Sequence, residues 1–498
     1  MKRRLLITIL FVAFFAFAFH VNAQQKPRTI VTTDGEVDDM DSFIRFLLYT
    51  NNLDVEGLVY SSSQWHYKGD GKGTTFVSEM EMTKRFYGER TALRWPGTTW
   101  MQKLISKYAA VYPNLVQHDP DYPTPEYLKS IIRVGNIEFE GEMEKVTEGS
   151  EFIKNILLDD DEAPVYVQIW GGTNTLARAL KSIEEEYKGT TEWEDIYKKV
   201  SKKTVIYTVL DQDATYKKYV EPNWPEVRVI YNSAQFWSFA YMWPQVVPES
   251  LKPFMEGEWF SENIKFNHGP LMENYYLWGD GQHIAGDPDH THGSMEEVKK
   301  NGRKQYDFIS EGDSPSYLYL LNFGLENYDD PTFGGLGGRF KQSETNLYRW
   351  EDGNDVTDFN PETGKEETAY PQLRWLETIQ NDFATRADWC VTDYKTANHA
   401  PMVEAEINAV QATAGDLITL WGRATDPDND ELTYRWWNYV EAGTYPQKVE
   451  VKSAAQKQIK LRIPDDAKTG ETIHMILEVS DDGSPSLTRF QRVVIHIN

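Results

Sequence analysis

Three aspartates, Asp34, Asp38 and Asp39, lie close together near the beginning of the sequence. They follow the β-branched pair Ile30 and Val31 and precede an apolar pattern of helical period, which predicts a strand, a tight turn and an acidic helix start. Acidic residues suit the free N–H groups and the positive dipole end of a helix. Three of them at one turn repel one another unless a cation lies between them. Hard oxygen ligands favour calcium, ahead of magnesium, over zinc; a solvated acidic helix cap is the alternative.

Composition limits the partners of this chain. The formal net charge of −26 argues against nucleic acid and anionic membrane surfaces. The single cysteine, Cys390, excludes an internal disulfide, so an apolar core must hold the fold together. The sequence contains 16 Trp and 28 Tyr residues, and flat aromatic faces suit the apolar faces of sugar rings.

Residues 1–23 have the pattern of a signal peptide. Three basic residues, Lys2, Arg3 and Arg4, precede an apolar run over 5–19, and small residues precede Gln24. An uncleaved anchor is the alternative. No later run approaches the roughly 20 apolar residues of a membrane span. We therefore predict a periplasmic or secreted protein.

Buried strand patterns alternate with turns and helical patterns through most of the chain. The strands are predicted over 55–60, 163–170, 203–210 and 227–231. This alternation predicts an α/β domain with a mostly parallel sheet and helices on both faces. A loop rich in Gly, Asp and His over 279–292 follows, for which we weigh a zinc site against a solvated loop.

Two short motifs resemble those of the inosine–uridine nucleoside hydrolases. Asp34-Gly-Glu-Val-Asp-Asp39 resembles their Asp-x-Asp-Pro-Gly-x-Asp-Asp, with Thr32 in place of the first Asp, and Trp170-Gly-Gly-Thr-Asn174 resembles their Thr-Gly-Gly-Leu-Thr-Asn. In that family these motifs, with an Asp at the start of a late helix, bind calcium. The resemblance implies a calcium site formed by Asp34, Asp38, Asp39, Asp313 and the backbone carbonyl of Trp170.

The resemblance also suggests which residues contact substrate. Gln235 and Trp237 stand where the family has a Glu and an Asn on its ribose, and this difference favours a glycan or glycoside over a nucleoside. We expect the substrate to be bound by Gln64, Asn232, Gln235, Trp237, Asp211 and Asp213.

Longer runs resemble one bacterial family more specifically. These runs are His268-Gly-Pro-Leu271, Glu311-Gly-Asp-Ser-Pro-Ser316, Gly334-Gly-Leu-Gly-Gly-Arg339 and Asn381-Asp-Phe-Ala-Thr-Arg-Ala-Asp-Trp-Cys390. On them the chain is identified as a member of the nucleoside hydrolase-like family described as cellulose-binding proteins. The likeness extends from about Arg28 to the C-terminus. It implies a Rossmann-like nucleoside hydrolase-like domain over 24–397 and a C-terminal domain that binds carbohydrate.

The last hundred residues have a different pattern. Short alternating strands over 398–498 predict an immunoglobulin-like β-sandwich without a disulfide. Asp426-Pro-Asp-Asn-Asp430 resembles the turn of cadherin- and fibronectin-like repeats. A tight Asx-rich turn and a calcium site shared with Asp481 or Asp482 both fit this run.

Taken with the implied calcium site, these features predict an exported, calcium-dependent glycosidase. We expect a metal-activated water to attack the anomeric carbon once, with inversion, while Asp34 accepts its proton. His268 is the first choice for the general acid, and Asp211 or Asp213 is the second. A carbohydrate-binding protein without turnover, acting on a cellulose-like polysaccharide, is the alternative function. The sequence is compatible with a homodimer.

Overall fold

A computed structural model describes residues 26–498, so the predicted signal peptide lies outside the described residues. Within 26–498, no helix combines the length and the apolar character that crossing a bilayer requires. The strands before residue 398 are β1 (Arg28–Thr33), β2 (Asp54–Tyr60), β3 (Phe76–Val77), β4 (Glu89–Arg90), β5 (Ile132–Val134), β6 (Val165–Ile169), β7 (Thr204–Val209), β8 (Arg228–Asn232), β9 (Lys341–Gln342), β10 (Arg349–Glu351), β11 (Asp358–Asn360) and β12 (Lys365–Glu367).

Within residues 26–498 the α-helices all precede the second domain, which contains one 3-10 turn at Val440–Ala442. They are α1 (Val37–Leu47), α2 (Glu81–Tyr87), α3 (Trp100–His118), α4 (Pro125–Ser130), α5 (Glu148–Leu158), α6 (Asn174–Tyr187), α7 (Trp193–Lys203), α8 (Glu221–Asn223), α9 (Trp243–Val246), α10 (Gly257–Phe260), α11 (Gly269–Met272), α12 (Met295–Lys300), α13 (Ser314–Leu318), α14 (Tyr370–Leu373) and α15 (Leu376–Trp389).

Eight strands form the central sheet of the first domain, in the order β5-β2-β1-β6-β7-β8-β10-β9. All neighbours are parallel except the edge pair of β9 and β10. Successive residues of a strand face opposite sides, so Ile30 and Val31 enter the two separate apolar cores that cover the sheet. The predicted mostly parallel sheet with helices on both faces is confirmed.

The strand order reverses beside β1. From β1 the chain moves outward to β2 on one side, and it later places β6 on the other side of β1. A crevice forms outside the carboxyl ends of two strands at such a reversal, and ligands of open α/β sheets bind there. Asp34 follows β1 and Trp170 follows β6, so both acidic and glycine-rich motifs reach this crevice.

The second domain is all-β, as predicted. Its strands are β13 (Met402–Ala405), β14 (Ala409–Ala412), β15 (Leu417–Thr425), β16 (Thr433–Asn438), β17 (Gln458–Arg462), β18 (Thr472–Ser480) and β19 (Thr488–Ile497). They form a three-stranded sheet, β13-β15-β17, and a four-stranded sheet, β14-β19-β18-β16. All pairs are antiparallel except β14 with β19, and apolar side chains of both sheets share one core.

The two domains pack tightly against each other. Phe490 of β19 donates its N–H to the carbonyl of Phe323 at 2.9 Å, and Arg492 donates its N–H to Gly324 at 2.8 Å. A Cβ at Gly324 would lie 1.7 Å from the Phe490 carbonyl oxygen, so only glycine permits this approach. The Arg492 side chain is buried and donates to the Leu325 carbonyl at 2.7 Å. The boundary at residue 398 stays a prediction.

Candidate metal and catalytic site

Three carboxylates meet at the crevice beside β1. Oxygens of Asp38, Asp39 and Asp313 all lie within 4.8 Å of one another. Burial and the charges of Glu36 and Asp34 raise the pKa of Asp38 to about 8. Burial and neighbouring carboxylates also raise the pKa values of Asp39 and Asp313 well above the usual range. A group of buried acceptors that repel one another fits a divalent cation bound by oxygen.

Neighbouring groups orient two of these carboxylates. The Thr33 hydroxyl and the Asp34 N–H, at 3.2 Å, both donate to Oδ1 of Asp39. The Ser310 hydroxyl donates to Oδ2 of Asp38 at 3.3 Å. A Cβ at Gly312 would lie 2.9 Å from that same oxygen, so a larger residue at 312 would press on the cluster.

Asp34 lies beside the cluster but faces a histidine. Its side chain is 2% exposed, and Oδ2 accepts no hydrogen bond. That oxygen is 3.5 Å from Nδ1 of His66, a fully buried residue that the sequence reasoning did not assign to the site. Burial raises the pKa of Asp34, but the interaction with His66 outweighs it and leaves the pKa below its usual value.

Part of the Gly-, Asp- and His-rich loop packs against this site, although many of its residues are exposed to solvent as predicted. Asp287 is 3.4 Å from Nε2 of His66 and accepts two hydrogen bonds from Arg94, at 2.9 and 3.0 Å. Arg94 also lies 3.6 Å from Glu36, which accepts a hydrogen bond from Tyr241 at 3.0 Å. Burial lowers the pKa of His66, yet the Asp287 and Asp34 carboxylates outweigh burial and raise it to about 9.

The described residues of this loop do not form a complete set of zinc ligands. His290 and His292 lie with their Nδ1 atoms 3.4 Å apart. Within residues 26–498, however, only two groups of three or more potential ligands occur, and neither contains a histidine. We call residues 279–293 the covering loop from here on.

Two glycines bring the second motif to the site. A Cβ at Gly171 would lie 2.9 Å from Cβ of Asp34, and one at Gly172 would lie 2.4 Å from a carboxylate oxygen of Asp213. The Trp170 carbonyl, a predicted cation ligand, accepts a hydrogen bond from the Gln212 side chain at 2.8 Å. A carbonyl oxygen has two lone pairs, so one remains for a cation.

Several predicted substrate residues are instead bonded within the fold. Gln235 is fully buried, donates to the Arg339 carbonyl at 2.6 Å and accepts from its N–H at 3.0 Å. Asn232 is equally buried and accepts from the Phe236 N–H at 2.9 Å. The side-chain oxygen of Gln64 accepts from a threonine hydroxyl at 2.7 Å.

The remaining predicted residues also have structural partners. Asp213 accepts from the N–H of Asn174 at 2.9 Å, at the start of α6. Asp211 accepts from the N–H groups of Tyr216 and Lys217, at 3.3 and 3.1 Å. The Trp237 ring lies 4.4 Å from the Phe236 ring and is partly buried.

The structure does not bring His268 to the carboxylates. Its Nε2 lies 3.0 Å from Asp388, at the end of α15. The adjacent Gly269 approaches Val111 of α3, whereas Gly35 approaches Trp100 at the start of that helix. Eleven residues of helix separate these two contacts, about 16 Å at 1.5 Å per residue. His66, and not His268, is the histidine within reach of Asp34.

The two residues that sequence reasoning missed, His66 and Asp287, come from loops. Neither is part of a spaced motif, because each is positioned by a contact between distant loops. The unusual His and Asp content of the covering loop was the one available signal. Its interpretation as a solvated loop was wrong for Asp287, which is buried.

The family called "Cellulose-binding Sde182, nucleoside hydrolase-like domain" matches residues 28–340. The chain belongs to this family. Residues 418–497 match a second family, "Cellulose-binding protein Sde0182, C-terminal domain". The predicted membership is thereby confirmed. No curated protein matches this chain.

A solved structure shares this fold. A nucleoside hydrolase-related hypothetical protein from Saccharophagus degradans, described as associated with carbohydrate metabolism, superposes with a TM-score of 0.71 at 24% identity. The match covers 95% of this chain and 100% of that protein. The plant nucleoside hydrolase PpNRh1 has a TM-score of 0.32 at 9% identity, covering 73% of this chain and 99% of its own. A likeness that weak supports no inference about function.

Proposed function

We propose that this chain is an exported, calcium-dependent glycoside hydrolase that cleaves a glycosidic bond in a glycan or glycoside. The observation that supports the proposal is the group of buried carboxylates beside the Asp34–His66 pair, at the strand-order reversal where α/β sheets bind ligands. Export rests on the signal-peptide pattern of residues 1–23.

The cation would be held by Asp38, Asp39 and Asp313, with the Trp170 carbonyl and Asp34 beside them. When bound, a divalent cation supplies positive charge that lowers the pKa of a water molecule. Four carboxylates on one cation leave a net negative site, which also favours the positive charge of an oxocarbenium-like transition state.

The proton chemistry falls to Asp34 and His66. The unpartnered Oδ2 of Asp34 accepts the proton of the attacking water, and His66, 3.5 Å away, keeps that carboxylate ionised beforehand. His268 is not the proton donor, because it lies at the other end of α3. Both ring nitrogens of His66 face carboxylates, so the leaving group takes its proton from water. One attack by one water inverts the anomeric centre.

The covering loop excludes bulk water from these groups. Its Asp287 bonds both His66 and Arg94, so the loop must move before a substrate enters. Glycines of positive φ at 279, 281 and 286 give it hinges.

A carbohydrate is favoured over a nucleoside for two reasons. The family descriptions name cellulose binding, and the related protein of known structure is described as associated with carbohydrate metabolism. In addition, the Gln235 amide already bonds the backbone carbonyl and N–H of Arg339, so it is not available to bind ribose hydroxyls.

The test is hydrolysis of glycan, glycoside and nucleoside panels by the full chain, with calcium and with EDTA. Asp34→Asn should lower kcat by about 10²–10⁴-fold, as the loss of a general base does. Asp121→Asn, an exposed aspartate far from the crevice in sequence, is the control and should retain activity. Activity that is equal in EDTA, or in Asp34→Asn, would overturn the proposal.

A second candidate function, carbohydrate binding without turnover, has its own supporting observation. A cleft of about 900 Å³ runs between the two domains. The partly exposed indole of Trp437 lines it, with Nε1 donating to Glu478 at 3.1 Å, and the Arg374 guanidinium lies 5.5 Å from that ring. A flat aromatic face beside charged hydrogen-bonding groups suits a pyranose ring.

Retention on insoluble cellulose tests this candidate. Trp437→Ala should reduce retention at least tenfold, whereas Trp421→Ala should not, because Trp421 is 48% exposed on β15, outside the cleft. Equal retention of both variants would count against the cleft.

A further inference from the structure

A second group of three carboxylates lies in the C-terminal domain. Oxygens of Asp426, Asp430 and Asp481 all lie within 4.8 Å of one another. Asp426 and Asp430 belong to the loop after β15, and Asp481 follows β18. Oxygens bound at 2.3–2.6 Å to one calcium ion are at most about 5 Å apart, so the spacing admits one ion.

Buried oxygens without hydrogen-bond donors are a second, independent observation that fits a bound cation. Asp481 is 4% exposed, and its Oδ1 accepts from the N–H groups of Gly483 and Leu487 at 3.1 and 2.8 Å. Its Oδ2 has no hydrogen-bond partner, and neither does Oδ2 of Asp426. An unsatisfied buried carboxylate oxygen is costly, and a cation satisfies several such acceptors at once.

The local electrostatics agree with this geometry. His399 bonds Asp428 of the loop after β15 through its N–H and its ring, and it bonds none of the three clustered residues in the contacts described. The three carboxylates therefore face one another without a compensating side chain among the contacts described.

The group lies where the chain passes from the first domain into the sandwich. Asn398 donates its amide to Asp481 at 3.3 Å, and its carbonyl accepts from the Trp389 indole at 3.0 Å. The next residue, His399, donates its N–H to Asp428 at 2.7 Å. The same two loops thus hold the carboxylates and the linker.

We propose that Asp426, Asp430 and Asp481 bind one calcium ion, separate from the Asp38–Asp39–Asp313 group, and that this ion ties the linker to both loops. Calcium is favoured because the donors are all oxygen and come from two irregular loops, whereas magnesium demands a near-ideal octahedron. The proposal does not depend on the proposed hydrolase activity.

Calcium stoichiometry of the full chain tests this site directly. After EDTA treatment and dialysis, titration calorimetry should find one ion fewer per chain in Asp481→Asn and in Asp430→Asn than in the wild type. Asp430→Asn is the milder change, because within residues 26–498 no described hydrogen bond ends on the Asp430 carboxylate. Asp465→Asn, an exposed aspartate of the same domain, is the matched control and should keep every ion.

The two calcium sites give distinguishable results. Asp39→Asn should lose the ion of the first domain and keep the ion of the junction. The junction ion is detected as calcium-dependent protection of the backbone N–H groups of residues 398–430 from hydrogen exchange. If Asp430→Asn and Asp481→Asn bind as many ions as the wild type, the proposed site is wrong. If the wild type binds one ion and Asp430→Asn none, the junction site stands and the hydrolase site is overturned.

Discussion

Like charges at very short range dominate the chemistry of the crevice. Asp38, Asp39 and Asp313 are close enough to share one ion, and burial prevents water from screening their repulsion. Their electrostatics differ from those of an exposed acidic helix cap, which solvent would relieve. Removing one carboxylate therefore has opposite effects on the metal-free and the calcium-bound protein.

This difference gives the first prediction. Without calcium, Asp313→Asn should be as stable as the wild type or more stable, because it removes one repelling charge. With calcium at 100 times its Kd, the wild type should gain about 2.7 kcal/mol at this site and the variant almost nothing. Urea unfolding with calcium and with EDTA measures both effects. An Asp430→Asn background removes the contribution of the junction site, and an equal calcium gain in both proteins would contradict the prediction.

Gln235 supports the second prediction. Its amide satisfies both backbone groups of Arg339, so Gln235→Ala should leave a buried N–H and a buried carbonyl unpaired. We expect a loss of about 2 kcal/mol in the free energy of unfolding, with ligand affinity unchanged once the protein is folded. Chemical denaturation and glycan binding at low temperature measure the two. A fully stable variant that has lost affinity would restore Gln235 as a substrate residue.

At the scale of elements, the site depends on how α13 is joined to α1. Arg45 of α1 and Glu311, just before α13, are both fully buried, with Nε and Oε2 2.7 Å apart. Glu311 also accepts from Tyr275 and from Ser314, at 2.6 Å for the serine. This ion pair fixes the turn that carries Asp313 against the helix that carries Asp38 and Asp39.

The third prediction concerns this ion pair. Arg45→Met should lower the free energy of unfolding by about 3–5 kcal/mol, because it leaves the Glu311 carboxylate buried without its charge partner. Adding Glu311→Gln should recover part of that loss, since the orphan charge disappears. Denaturant unfolding of the two single variants and the double variant gives the coupling energy. Additive losses would mean that the pair is not coupled.

For the whole molecule, the two domains behave as one packed unit. Tyr439, Ile476 and Phe490 of the sandwich belong to the same apolar core as the first domain's helices. Asp382 of α15 accepts from Arg489 of β19 at 2.6 Å and from Arg386 at 2.8 Å. Acid should therefore act on the interface as well as on each domain.

The fourth prediction follows from that ion pair. Burial raises the pKa of Asp382, but Arg489 and Arg386 outweigh burial and lower it to about 2. A carboxylate with a depressed folded pKa stabilises the fold above its unfolded value of about 4, and that stabilisation is lost as the pH falls towards 2. Asp382→Asn should remove roughly 2 kcal/mol at pH 7 and much less near pH 2.

Thermal unfolding from pH 2 to pH 7 measures this difference between wild type and variant. Asp465→Asn, exposed and distant from the interface in sequence, should follow the wild type at every pH. A stability difference that stays constant from pH 7 to pH 2 would show that Asp382 does not act through its charge.

The sequence alone determined the order of elements and one half of the site. Few folds other than a parallel sheet covered by helices are compatible with buried β-branched runs that alternate with amphipathic runs. The fold class could therefore be predicted from the sequence. Asp34, Asp38 and Asp39 were readable because one turn of chain brings them together, whatever the rest does. The roles of these aspartates and the domain boundary at 398 stay predictions.

Which other polar residues join that turn depends on contacts between distant parts of the chain. His66 and Asp287 are 221 positions apart, and no local pattern relates them. Histidine and glutamine serve equally well as site residues and as buried hydrogen-bonding residues, so their type does not distinguish His66 from His268 or assign Gln235. That assignment depends on which loops pack together, and loop packing is set by contacts over the whole chain. The local geometry of the chain is enough to predict a cluster of residues that are close in sequence. A cluster of residues that are distant in sequence forms only after the folded core has positioned their loops.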